Sequence, residues 1–248
     1  MRDFLPIPDI LQMRRILCVQ PHPDDADIGC GGTLARLAAS GAEIVYLTMT
    51  DGSSGTHTPN SDRKILAVRR RTEQHAALKA LGMESAKLFW FDEPDGYLKA
   101  DFILRDRLIR LVRRLQPDCI VTVDPASTYE IHGDHRVTGL LAARAAYFAS
   151  YPAIAPQSDC PAHAVSAIGF YFTPHPNTYV DISNGWAAKL KAIQCHQSQF
   201  GGETWPQYAA FFDAQARQWG TRQGCERAEA LKMLTPLHLH CFPDTMDS

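Results

Sequence analysis

The sequence predicts an α/β fold: a doubly wound, mainly parallel sheet with helices on both faces, in a single domain spanning residues 1–248. Three observations predict it. Over residues 15–150 short β-rich runs alternate with segments of helical period, and each parallel crossover needs such a helix. At 248 residues with 45% hydrophobic content the chain can bury one substantial core, near the size at which single cores begin to split. Finally, no internal repeat or low-complexity tract interrupts the rhythm.

The elements follow in order. RILCVQ (15–20) reads as a first strand, and GGTLARLAASG as the helix after it, ending at Gly41. EIVYLTMT (43–50) is a second strand, followed by the loop DGSSGTHTPNSD and a long helix over 63–81 that stops at Gly82. AKLFWF is the third strand, FILRDRLIRLVRRL the third helix with Pro117 just beyond it, and CIVTVD (119–124) the fourth strand. This is a Rossmann-like succession, with the core in 15–150. The proline-rich YPAIAPQSDCPAH is read as irregular. AVSAIGFYF offers a fifth strand and TYVDIS a sixth; GWAAKLKAIQCHQ and AQARQWGTRQGCERAEALKML are read as helical. Residues 151–248 thus add strands and helices to one sheet.

Composition excludes several classes. A formal net charge of -2 gives no basic excess for nucleic acid and no acidic tail. The seven cysteines are odd in number, scattered and without a C-x-x-C pair, which fits reduced thiols in a cytoplasm better than a disulfide framework or a zinc ribbon. The start MRDFLPIPDILQMRRILCV carries Asp3 and Asp9 with Pro6 and Pro8, so it lacks the basic start and clean apolar core of a signal peptide. No run approaches the roughly 18 apolar residues a membrane helix requires. The expectation is a cytoplasmic protein without a membrane span.

Chemistry concentrates at two loops. PHPDDAD, directly after strand 1, packs His22, Asp24, Asp25 and Asp27 into one short stretch; DPASTYEIHGDHRVTG follows strand 4 directly. In a doubly wound sheet, ligands bind beyond the carboxyl ends of the strands where strand order reverses, in the common order between strands 1 and 4. The two clusters are therefore expected to face each other. Two imidazoles and a carboxylate with positions left for water make a catalytic zinc or iron site. His22 with Asp24 or Asp25, plus His132 or His135, supplies that set. A leftover carboxylate would serve as general base, and a leftover histidine as general acid or oxyanion stabiliser.

Plainer readings compete. The aspartates suit the N-terminus of a helix, where free N–H groups and the dipole favour acids, and His132 and His135 alone would pass for an ordinary polar loop. Coincidence of both clusters at the switch point favours the site. The glycines of IGCGGTL do not fit a dinucleotide loop, because Gly29, Gly31 and Gly32 give G-x-G-G and Leu34 stands at the third glycine position; they are read instead as allowing close packing beneath the site. Arg63, Lys64, Arg69, Arg70 and Arg71 spread over several helix faces. His196 is read as a structural, hydrogen-bonded histidine, His238 and His240 as non-catalytic, and the four tryptophans as core or interface residues.

PHPDDADIGCGGTL closely resembles the H-P-D-D-x-[ED]-[LI]-G-x-G-G signature of the PIG-L/LmbE-like zinc-dependent deacetylases, and HGDHRVTG resembles that family's H-x-D-H-R-x-x-G. Further matches follow in order: TDG at 50–52, A-x-x-R-x-x-E-x-x-x-A-x-x-x-L-G over 67–82, PDG at 94–96, and VDIS…K…H-x-S-Q over 180–199. One departure is Asp27, where glutamate is common. The resemblance implies that His22, Asp25 and His135 hold one Zn²⁺ per chain, with another first-row divalent metal able to substitute. Asp24 would be the general base, His132 would stabilise the oxyanion and protonate the leaving amine, and Asp134 would orient His132. Arg70, Ser53 and Asp95 stand where family members contact the sugar.

The implied reaction is hydrolysis of an N-acetyl group from an N-acetylglucosamine-type conjugate, a small-molecule partner. A nucleotide-binding oxidoreductase on the same fold fails on glycine spacing and explains neither histidine. A non-catalytic metal- or carbohydrate-binding module would have no use for Asp24 and His132. The aromatics around FFDAQARQW suit a homo-oligomer, but the loops 51–62 and 151–163 carry no readable substrate code.

Overall fold

A computed structural model describes residues 5–242 and 245. In chain order the elements are β1 (Arg15–Gln20), α1 (Asp25–Ala39), β2 (Glu43–Thr50), α2 (Arg63–Ala80), β3 (Lys87–Glu93), α3 (Phe102–Leu115), β4 (Cys119–Val123), α4 (Gly133–Phe148), β5 (Ala167–Tyr171), β6 (Thr178–Asp181), α5 (Trp186–Cys195), α6 (Gln197–Phe200), α7 (Trp205–Gln223) and β7 (Ala228–Leu234). Among the described residues seven strands make one sheet in the order β3-β2-β1-β4-β5-β7-β6. The first five run parallel, and β7 is antiparallel to both its neighbours. Strand order reverses between β1 and β4, which pair from Ile16↔Cys119 to Val19↔Thr122.

The sheet is buried on both faces. Along β1, Ile16 and Cys18 belong to one core with Leu34, Tyr46 and Val121, while Leu17 and Val19 belong to the other with Val45, Leu108 and Ile120. Strand side chains alternate between faces, so a strand covered on both sides reads as a continuous apolar run. Helix α3 lays Leu104, Leu108, Leu111 and Val112 on the core; Asp101 caps its start by accepting from the Leu104 N–H, and Gln116 ends it in the left-handed region before Pro117. The proline-rich segment after α4 has no regular element, as expected, and the buried Arg113 holds it by donating to the carbonyls of Ala149, Tyr151, Ile154 and Ala155.

Two elements differ from expectation. The polar stretch DPASTYEIHGDHRVTG is a loop only in its first part: Gly133 opens α4, so Asp134 and His135 sit in a first helical turn. The final helical reading also fails in part, because α7 stops at Gly224 (φ 75°) and AEALKML forms β7, buried along its whole length. Ala, Glu, Leu, Lys and Met favour helices, but this stretch fills the slot between β5 and β6, and burial of both faces overrides the propensity. No helix among the described residues is long and apolar enough to cross a membrane.

Candidate metal centre and active site

Directly after β1 the chain turns sharply into α1 at Asp24, whose φ of 132° and ψ of -32° are rarely adopted by a residue with a side chain. Strained backbone of this kind persists only where the surroundings hold it. Arg70 of α2, 3% exposed, holds it here: Nη2 donates to the Pro23 carbonyl at 2.8 Å and to Asp24 Oδ2 at 3.0 Å, and Nη1 donates to the Gly52 carbonyl at 3.1 Å. Asp24 occupies the N-cap position of α1 but makes no side-chain cap. Asp24 therefore does not cap the helix, while Asp25 and Asp27 lie in its first turn.

Each acid has other partners. Asp25 Oδ2 accepts the His22 backbone N–H at 2.9 Å and lies 3.1 Å from His22 Nδ1; Asp25 Oδ1 lies 3.3 Å from His135 Nε2. Asp27 points the other way, into a closed buried network: it accepts from the Tyr46 hydroxyl and Gln74 Nε2, and His196 Nε2 lies 2.8 Å from it. His196 is fully buried, which disfavours its charged form, yet the hydrogen bond to Asp27 and the charges of Asp27 and Asp24 together raise its pKa. It is the structural histidine the sequence suggested.

The loop after β4 closes the centre from the opposite side. The ring centroids of His22, His132 and His135 lie 4.6 to 5.4 Å from one another. Gly139 lets α4 approach the end of β4, since a Cβ there would stand 2.4 Å from the Val123 carbonyl oxygen. Gly29 does the same for α1, where a Cβ would meet the Tyr171 ring at 2.3 Å. The Asp134 carboxylate accepts from the Gly96 and Leu98 N–H groups at 2.7 and 3.0 Å and lies 3.3 Å from His22 Nε2. It thus meets His22, not the His132 imidazole; His132 Nδ1 instead accepts the Asp134 backbone N–H at 3.3 Å. Asp95 adds a carboxylate oxygen 3.2 Å from His22 Nε2 and accepts the Ser54 N–H. Ser53 is buried, its Oγ accepting from Arg63. Arg70 and Asp95 thus touch residues of the centre directly, through Asp24 and His22, whereas Ser53 is engaged with Arg63.

This donor set fits a divalent cation. His22, Asp25 and His135 each offer a ligand atom within 4.8 Å of the others. His22 Nδ1 and His135 Nε2 approach different oxygens of Asp25, Oδ2 at 3.1 Å and Oδ1 at 3.3 Å, so the one carboxylate faces both imidazoles. Charge points the same way. Burial disfavours a charged His22, yet hydrogen bonds to Asp134, Asp25 and Asp95 raise its pKa well above 6.5, and burial of His135 is likewise outweighed by Asp25. The carboxylates create a demand for positive charge. A second grouping of His22, Asp95, His132 and Asp134 shares His22 and belongs to the same centre.

Residues 17–146 match the PIG-L family, described as GlcNAc-PI de-N-acetylase. A diacetylchitobiose deacetylase of Thermococcus kodakarensis is 35% identical over 235 residues, covering 93% of this chain and 87% of that protein. The chain belongs to the PIG-L family. Among solved structures, N,N'-diacetylchitobiose deacetylase from Pyrococcus horikoshii, complexed with its inhibitor MPG, superimposes with a TM-score of 0.89 at 34% identity, covering 94% of this chain and 88% of that one. A 1D-myo-inositol 2-acetamido-2-deoxy-alpha-D-glucopyranoside deacetylase of Kineococcus radiotolerans is 31% identical over 153 residues, covering 50% of this chain and 42% of that protein.

Several residues singled out from the sequence lie far from the centre, and the structure shows what they touch. Ser198 donates to Glu73 from its backbone and hydroxyl, and Gln199 donates to the Gly55 carbonyl. Lys189 donates to the Ile28 carbonyl and pairs with Glu229. These residues tie the α5–α6 region to α2, to the loop after β2, to α1 and to β7. Glu130 was not singled out from the sequence: its carboxylate lies 3.0 Å from His135 Nδ1 and accepts the His132 N–H at 2.8 Å.

Proposed function

We propose that this chain hydrolyses the N-acetyl group of an N-acetylglucosamine-type sugar, releasing acetate and a free amine, with one Zn²⁺ per chain held by His22, Asp25 and His135. Another first-row divalent ion can substitute. The observation that carries this reading is the surplus at the centre: two imidazoles and a carboxylate suffice for the ion, yet Asp24 and His132 stand beside them. A module that only bound metal or carbohydrate would need neither. Bound there, the ion would supply Lewis acidity to the amide carbonyl and draw the pKa of a water down to roughly 7.

The chain's own groups supply the rest. Asp24 takes the proton of the attacking water; burial lifts its carboxyl to about 6 against the opposing pull of Arg70, and a base is most effective near the working pH. Burial and the neighbouring His22 and His135 lower the pKa of His132, which favours its neutral ring. Its Nδ1 is an acceptor for the Asp134 N–H, so Nε2 carries the proton and donates to the oxyanion. As the C–N bond breaks, Nε2–H passes to the departing nitrogen, and the proton held by Asp24 replaces it. Asp134 contributes through its backbone N–H, which donates to His132 Nδ1, and through its carboxylate beside His22. Arg70, Ser53 and Asp95 shape the floor on which the sugar is held.

Similarity over 93% of the chain to a diacetylchitobiose deacetylase supports a β-linked N-acetylglucosamine disaccharide as the substrate to try first. The free cysteines among the described residues support a reducing, cytoplasmic setting. The test is incubation of the zinc-loaded protein with N,N'-diacetylchitobiose, N-acetylglucosamine and an N-acetylglucosaminyl-inositol, measuring acetate and primary amine. Equimolar release of both from at least one is expected. Release of neither from any of them, by protein shown to hold metal, would overturn the reading.

A further inference from the structure

We propose that Glu130 is a positioning residue for His135, fixing which imidazole nitrogen faces the metal centre and so setting its metal affinity; this rests on the reading of His22, Asp25 and His135 as ligands. The two imidazoles are treated alike by their surroundings. Each turns one nitrogen to Asp25, His22 through Nδ1 and His135 through Nε2. Each turns the other nitrogen to carboxylate outside that set: His22 Nε2 to Asp95 and Asp134, His135 Nδ1 to Glu130 at 3.0 Å. A carboxylate behind a ligating histidine holds the proton on the far nitrogen, aims the lone pair of the near one, and raises its basicity.

The loop itself shows that Glu130 is held inward. Its neighbours Tyr129 and Ile131 are 97% and 96% exposed, while the Glu130 side chain is only 21% exposed. An apolar pair outside and a charge inside inverts the usual preference, so the partners of Glu130 decide its direction. Those partners are the His135 ring and the His132 backbone N–H. One carboxylate therefore ties together the two histidines that the β4–α4 loop delivers.

The test compares unaltered protein, Glu130→Gln, Glu130→Ala and, as a control, Asp25→Asn. Zinc affinity is measured by competition with a chromophoric chelator, the visible spectrum is recorded after Co²⁺ loading, and the metal-free proteins are melted. Removing such an outer carboxylate weakens metal binding by about 10–100-fold, expected for Glu130→Ala together with a changed Co²⁺ spectrum. Glu130→Gln keeps an oxygen that accepts from Nδ1–H and should fall between. A purely structural brace would lower the melting temperature of the metal-free Ala variant yet leave Gln with unaltered affinity and spectrum, which overturns the proposal. Full affinity in both variants while Asp25→Asn loses metal overturns it as well. Failure of the unaltered protein to bind metal overturns the ligand reading itself, and Glu130's role with it.

Discussion

Asp24 and Asp25 are neighbours in sequence and opposites in surroundings. Asp25 directs both oxygens at imidazoles, whereas Asp24 is paired with Arg70. Asp25→Asn should therefore weaken metal binding first and lose activity as a consequence. Asp24→Asn should retain the metal while kcat falls by about 10²–10⁴, the usual contribution of a general base. Metal content and kcat of both purified variants check this, and loss of metal from Asp24→Asn alone would reverse the assignment. The site histidines and acids were legible because their types and their place after strands 1 and 4 agree. Glu130 was not, since its contact with His135 depends on how the loop turns and not on a recognised spacing. Nor was the partner of Asp134, whose carboxylate is captured by Gly96 and Leu98 from a loop distant in sequence.

At the scale of elements, α1 is broken at Cys30, where φ is -148°. The break frees backbone groups within a buried helix, and a buried ion pair takes them up. Glu229 of β7 accepts the Gly32 and Thr33 N–H groups at 2.9 and 2.6 Å, and Lys189 of α5 donates to the Ile28 carbonyl at 2.6 Å. Breaking such a pair leaves one charge buried alone, at a cost of about 3–5 kcal/mol. Glu229→Gln should therefore lower the unfolding free energy by about that amount; denaturant unfolding measures it, and a change below about 1 kcal/mol would show that the amide serves α1 equally well. This brace explains why β7 escaped the sequence reading. AEALKML looks helical on its own, and only the slot between β5 and β6, with Glu229 reaching across to α1, makes it a strand. The first four strands were legible because their apolar runs and intervening helices repeat one pattern.

At the scale of the whole molecule, the parallel order puts β1 beside β4 and so brings His22 and His132 within ring contact. Neither loop carries the proposed chemistry alone; topology assembles it. The central claim is that one divalent ion at this junction is required for N-deacetylation, and stoichiometric reconstitution tests it most directly. Protein stripped of metal by chelation is titrated with Zn²⁺ while acetate release from the best substrate is followed. Release should be absent without metal, rise linearly with added zinc and level off at one equivalent per chain, whereas Asp25→Asn should show no such break. Full acetate release by verified metal-free protein, or an undiminished titration in Asp25→Asn, would contradict the account.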